Sequence, residues 1–182
     1  MNKRRILIGH LAALLVLSNG ACHAAAEPTA EPTTVLFVRH AEKMSGDDPS
    51  LTGEGRERAR ELARVVADVG IEAIYSTQFV RTRETARPLA ESLEIKVTIN
   101  EVRGGDLKGY AERFARRLLD EHRGQTVAVV GHSNTVPILI EALGVHGPPS
   151  LTEKDYDDLF VVTVDATTGA TLLHLHYGEP SP

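Results

Sequence analysis

"TVLFVRHAEK", Thr34 to Lys43, decides the reading of this chain. Val35, Leu36, Phe37 and Val38 are apolar and mostly β-favouring, the signature of a buried strand. The chain then turns at once to Arg39, His40, Glu42 and Lys43. Similar runs recur at "IEAIYS" (71–76), "KVTI" (96–99) and "TVAVVG" (126–131). Helical periodicity fills the gaps. Ala59, Leu62, Ala63, Val66 and Val69 share one face, with Thr52 as N-cap and Gly70 as stop. Ala86, Leu89, Ala90 and Leu93 form a second stripe, and Leu107, Tyr110, Ala111, Phe114 and Leu118 a third. "NTVPILIEALG" forms a fourth, with Pro137 tolerable only near its first turn. The tail "DLFVVTVDATTGATLLHLHYG" reads as a hairpin around "DATTGA". This alternation predicts an α/β fold, a three-layer sandwich. Its mostly parallel central sheet carries helices on both faces, and the C-terminal hairpin adds an antiparallel strand.

With 182 residues the chain is long enough for one well-buried domain and too short for two of ordinary size. Residues 1–26 have a basic start, an apolar run and small residues at the end, the layout of a secretory signal peptide. Residues 27–33, with two Glu-Pro pairs, read as an extended linker, and 34–182 as the domain. Cleavage would remove Lys3, Arg4 and Arg5 but no acid, taking the net charge from −5 to −8. Such a domain is a poor partner for nucleic acid or an anionic membrane. The one cysteine, Cys22, lies in the leader, so the mature domain has no internal disulfide. An exported, periplasmic protein is expected. The alternative is a lipoprotein anchored through Cys22, against which Asn19 stands three residues upstream where such signals usually carry Leu. No surplus apolar stripe remains after the helices pack, so a monomer is expected.

In an open parallel sheet, ligands bind beyond the C-terminal ends of the strands. The first strand ends in Arg39-His40, the second runs into "STQFVRTRETA" with Thr77 and Arg81, and the fourth ends in Gly131-His132-Ser133-Asn134. The last is expected to enter a helix whose N-terminus offers free N–H groups. Two histidines, two arginines and a helix N-terminus thus converge on one sheet edge. A phosphoryl group fits best, because guanidinium forks match its oxygens and imidazole can attack phosphorus. Ser133 and Thr77 are candidate substrate-binding hydroxyls. His174 and His176, two apart on one strand, read as structural, since no third ligand follows at a recognisable metal spacing; no metal and no cofactor is expected.

"VRHAEK", "LTGEGRERA", "YSTQFVRTRETA" and "VVGHSN" occur in the order and spacing of the histidine phosphatase superfamily, the phosphoglycerate-mutase-like group, which the chain resembles from Thr34 to about Tyr177. The resemblance implies a phosphomonoester hydrolase with His40 as the nucleophile that becomes phosphohistidine. It implies that Arg39 and Arg81 bind phosphoryl oxygens and that His132 bonds the same group. Larger members carry a catalytic glutamate in an insertion that covers the site. Here only "KVTINEVRGGDLKG" occupies that region; Glu101 stands where the proton donor is expected, with Asp106 in reserve. An uncovered site admits water, which favours hydrolysis over mutase chemistry. Glu42 is expected to orient the arginines or the loop. The substrate is then a phosphorylated small molecule, an envelope phosphoester or a phosphoprotein. Two rivals remain. One is a phospho-ligand binding module with little turnover. The other is a serine hydrolase using Ser133, with an acid from Asp155 to Asp158 and then His174 or His176 following in chain order; that elbow would need a glycine at Thr135.

Overall fold

The computed structural model describes residues 31–181. The leader, the first part of the linker and Cys22 lie outside the described residues. Ten elements follow in order: β1 (Thr33–Arg39), α1 (Gly53–Val65), β2 (Ile71–Ser76), α2 (Val80–Leu93), β3 (Val97–Ile99), α3 (Leu107–Glu121), β4 (Thr126–Gly131), α4 (Val136–Ala142), β5 (Asp158–Asp165) and β6 (Gly169–His176). They build one six-stranded sheet in the order β3-β2-β4-β1-β5-β6. β1 to β4 run parallel, and β5 pairs antiparallel with both β1 and β6. The expected α/β sandwich is the observed one. Thr33, assigned to the linker, already pairs with Val164 and so belongs to the domain. No helix among the described residues is long and apolar enough to cross a membrane.

Period-two alternation sorts the strands between two cores. Val35, Phe37, Val127, Val129, Phe160 and Val162 face α3 and α4, where Phe114, Leu118, Leu139 and Ile140 cover them. Leu36, Val38, Ile74, Ala128 and Val130 face α1 and α2, covered by Leu62, Val66, Ala86 and Leu89. β1 and β4 are central and buried on both faces, which explains their unbroken apolar runs. Thr52 caps α1 by accepting from the Gly55 N–H at 3.0 Å. α2 contains Pro88, which removes one helical hydrogen bond without ending the helix. Pro137 lies in the first turn of α4, where its missing N–H costs least.

Two features of α1 fix the loop after β1. Arg58 is buried, donates from Nε to Glu42 at 2.8 and 3.1 Å, and donates from Nη1 to the Tyr177 and Glu179 carbonyls at 3.0 and 2.8 Å. Glu42 therefore holds its loop to α1 and to the chain following β6. Gly55 lies so close to this loop that a Cβ there would stand 2.1 Å from the Glu42 carbonyl oxygen. Gly→Ala inside a helix normally stabilises it slightly. Gly55→Ala is instead expected to destabilise by roughly 3 kcal/mol, because backbone must move on both sides of the contact. A denaturant midpoint unchanged from wild type would refute this.

Candidate active site

The parallel strands deliver their ends to one edge, and there the predicted residues meet. His40 follows β1 and His132 follows β4, with ring centroids 5.4 Å apart. Both are buried, at 3% and 8% exposure. The His40 backbone N–H donates to the Gly131 carbonyl at 3.0 Å, continuing the β1–β4 ladder one residue past the strand. His40 Nδ1 lies 2.8 Å from the Ala41 carbonyl oxygen. A carbonyl only accepts, so the proton sits on Nδ1 and the neutral ring presents the Nε2 lone pair. Burial, and then the neighbouring Arg39, His132 and Arg81, push the His40 pKa down to about 3 despite the Ala41 bond. Burial, Arg81 and Arg39 likewise take His132 down to about 4.

A cleft of 470 Å³ opens over this pair, lined among others by His40, Lys43, Arg81, His132, Ser133 and Glu153. Arg81, in the first turn of α2, stacks on Phe79 at 4.5 Å and makes a long 3.4 Å contact to Asp48. Its buried Nε has no partner among the described residues. A larger cleft of 830 Å³ lies elsewhere, walled by Glu42, Glu54, Glu57, Glu61 and Glu179. That acidic wall repels an anion, so the smaller cleft is the candidate site.

Several predicted residues take other positions. Arg39 is 1% exposed and lies behind the cleft. It donates from Nη1 to the Thr152 and Asp155 carbonyls at 2.8 and 3.2 Å, and from Nη2 to Glu153 at 3.0 Å. Its guanidinium lies over Tyr156 at 4.2 Å, and its buried Nε is unpartnered. Thr77 is buried and commits its hydroxyl to His132 Nε2 at 3.0 Å and Thr82 at 2.7 Å. It orients His132 instead of lining the cleft. Glu101 points away, pairing with Arg103 at 3.0 Å in a groove with Arg113 and Arg117. Asp106 caps α3, accepting from the Gly109 N–H at 2.8 Å. Neither acid lines the cleft, because the three-residue β3 ends early and its loop carries them outward.

The expected helix N-terminus also shifts. Residues 132–135 form a turn, closed where Thr135 Oγ1 accepts from the His132 N–H at 2.9 Å, and α4 begins only at Val136. The serine-hydrolase arrangement is not formed. Ser133 donates to Glu153 at 2.6 Å, and His174 pairs with Asp158 on β5.

Glu153 is the residue sequence reasoning missed. Its segment shows no periodicity, and its neighbours Asp155 to Asp158 entered only as the acid of the serine-hydrolase rival. It is the one carboxylate lining the cleft among the described residues. It bridges Ser133 and Arg39; the Ser133 bond, and then the charges of Arg39, Lys43 and Arg81, hold it below the usual carboxylate range against its partial burial. A carboxylate thus occupies the seat that these donors would offer a phosphoryl oxygen.

Residues 35–113 match the family described as histidine phosphatase superfamily (branch 1). Over those residues the chain is similar to that superfamily, as its motifs imply. Solved structures share the fold. The protein histidine phosphatase SixA complexed with tungstate superposes with a TM-score of 0.64 at 22% identity, covering 79% of this chain and 96% of that one. The α-ribazole phosphatase from Shigella flexneri gives 0.61 at 21% identity, with the same coverages. Among curated proteins, the human 6-phosphofructo-2-kinase/fructose-2,6-bisphosphatase 4 is 29% identical over 109 residues, covering 50% of this chain. The chain spans only 23% of that relative's length.

Burial of two neutral histidines carries a cost in acid. Unfolded, both rings take up a proton near pH 6.5; folded, they resist until about 3 and about 4. The unfolded state therefore binds more protons across that window, and stability falls as pH drops from 6.5. Between pH 7 and pH 4 the pair should cost roughly 6 kcal/mol. Urea midpoints across this range should fall steeply for wild type and less for His40→Gln. Parallel curves would refute the assignment.

Proposed function

We propose that this protein is a phosphomonoester hydrolase working through a phosphohistidine on His40. The observation that carries the reading is the His40 ring: neutral, buried, with Nε2 unprotonated beside His132 and the Arg81 cation. Nε2 attacks phosphorus, the P–O bond to the leaving group breaks, and the phosphoryl group stays on the ring. Arg81, the turn N–H groups near Ser133 and the second imidazole meet the developing charge, and Arg39 joins them when Glu153 yields its Nη2. Water then attacks the phosphohistidine, returning neutral His40 and inorganic phosphate. Each step uses protein groups and water alone, so the reaction proceeds without metal.

Departure of the leaving group is the demanding step. Glu153 is held as its carboxylate, and Glu101 and Asp106 stand outside the cleft, so no acid among the described residues is poised there to donate a proton. Substrates whose leaving groups depart readily are favoured, aryl phosphates above alkyl ones. The superfamily relatives include proteins described as a protein histidine phosphatase and an α-ribazole phosphatase, which spans phosphoprotein to small phosphoester. An exported protein would meet small or envelope phosphoesters, and either the soluble periplasmic form or the Cys22-anchored form would present the open cleft to them. The same lack of an acid supports the second reading, a phospho-ligand binding module with little turnover. Phosphate release from an aryl phosphate, followed with a chelator present, tests both. Chelator-resistant release supports the hydrolase, while tight phosphate binding without release supports the module.

Glu153 should act as a competitor for the anion. Glu153→Gln keeps a hydrogen-bonding side chain and removes the charge, so KM for an aryl phosphate is expected to fall about tenfold, a difference of about 1.4 kcal/mol. An unchanged or higher KM would count against the competing role.

A further inference from the structure

The sequence offers two histidines on β6 without a third ligand, and the sheet register supplies it. Asp158 on β5 stands directly opposite His176, and Phe160 directly opposite His174. Alternation puts all four side chains on one face. The His174 ring packs against Phe160 at 4.5 Å and lies 4.8 Å from the His176 ring. Donor atoms of Asp158, His174 and His176 lie within 4.8 Å of one another. His174 Nε2 is 2.5 Å from Asp158 Oδ1, and His176 Nδ1 is 3.7 Å from the same oxygen and 3.3 Å from Asp157 Oδ2. Asp157 is itself anchored by the Ser181 hydroxyl.

We propose that Asp158, His174 and His176 bind one divalent transition-metal ion of the zinc class, with Asp157 beside it as a fourth donor. Two donors on one tetrahedral zinc at about 2.0–2.1 Å stand roughly 3.3 Å apart, and the observed spacings bracket that value. Two imidazoles select zinc, nickel or copper over magnesium and calcium, which prefer oxygen. An ordinary ion pair needs only one histidine. The second adds nothing to that pair when neutral and repels the first when charged, whereas a metal uses both. Asp158 is 7% exposed, so its carboxylate is fixed, while His174 and His176 at 44% and 62% leave the outer side open to water. None of these residues lines the cleft that holds His40 and His132.

The test is calorimetric titration of the chelator-stripped, untagged full chain with Zn²⁺, and the absorption spectrum of the Co²⁺ form. Wild type should take up one ion at this site, and His176→Ala and His174→Ala should each weaken that uptake tenfold or more. His146→Ala should leave it unchanged, excess Mg²⁺ should not compete, and circular dichroism should show every variant folded. His176 is exposed enough that its replacement cannot unfold the sheet, so it is the decisive variant. Zinc uptake equally tight in His176→Ala would place the ion on other histidines and overturn the proposal. No saturable uptake by wild type would reduce the cluster to an Asp158–His174 ion pair and overturn it as well.

Discussion

His40→Ala is expected to abolish phosphate release while the domain stays folded. The ring is the nucleophile in the proposed reaction, and no other side chain in the cleft can replace it. His132 turns Nε2 to Thr77, and the Ser133 hydroxyl bonds the Glu153 carboxylate, a much weaker base than an imidazole. Loss of a nucleophile typically removes at least four orders of magnitude of rate. The fold should tolerate the change. His40 is held by its backbone bond to Gly131, which alanine keeps, and its ring is a buried polar group maintained against desolvation. Rapid quench with a phosphorus-labelled substrate supplies the direct readout: an alkali-stable, acid-labile label on wild type and none on His40→Ala. His132→Ala should still take up label, more slowly. Turnover by His40→Ala within tenfold of wild type would sink the mechanism.

The order of elements was legible because each carries its own period. β1 and β4 read as buried from unbroken apolar runs, and α1 read from its stripe and its Thr52 cap. The strand-end rule then placed His40 and His132 together before any contact was known. What stayed hidden depends on partners distant in sequence. Glu153 lies 114 residues from Arg39, in a loop shaped by Asp155 accepting from the Thr152 N–H at 2.7 Å, and no pattern announces such a pairing. Nothing in the sequence singles out Gly55, whose reason is the Glu42 backbone pressed against it. Glu101 was placed by analogy to a covering insertion that this chain lacks, and the short loop after β3 turns it outward. The Asp158–His174–His176 cluster needed the β5–β6 register, which a two-residue spacing alone does not define.

Arg39→Lys keeps the charge and should still cost two to three orders of magnitude in kcat/KM, which separates geometry from charge. The guanidinium joins four partners at once: two carbonyls, the Glu153 carboxylate and the face of Tyr156. An ammonium is a compact point charge that can neither span this set nor stack in the same way. Thr152 and Asp155 would lose buried donors, so residues 152–156 loosen, and the Nη2 that Glu153 surrenders to substrate disappears. Each charge-assisted bond lost is worth about 1.5–3 kcal/mol, so one or two of them account for the drop. Arg81→Lys provides the contrast. Among the described residues Arg81 has only the long Asp48 contact and its stack on Phe79, so that change should raise KM and slow turnover with little loss of stability. Arg39→Lys should lower both activity and the denaturant midpoint. If the two variants lower stability equally, Arg39 is not the strut of the 152–156 loop. If Arg39→Lys keeps full kcat/KM, its fork does not serve the phosphoryl group, and Arg81 and His132 carry that charge alone.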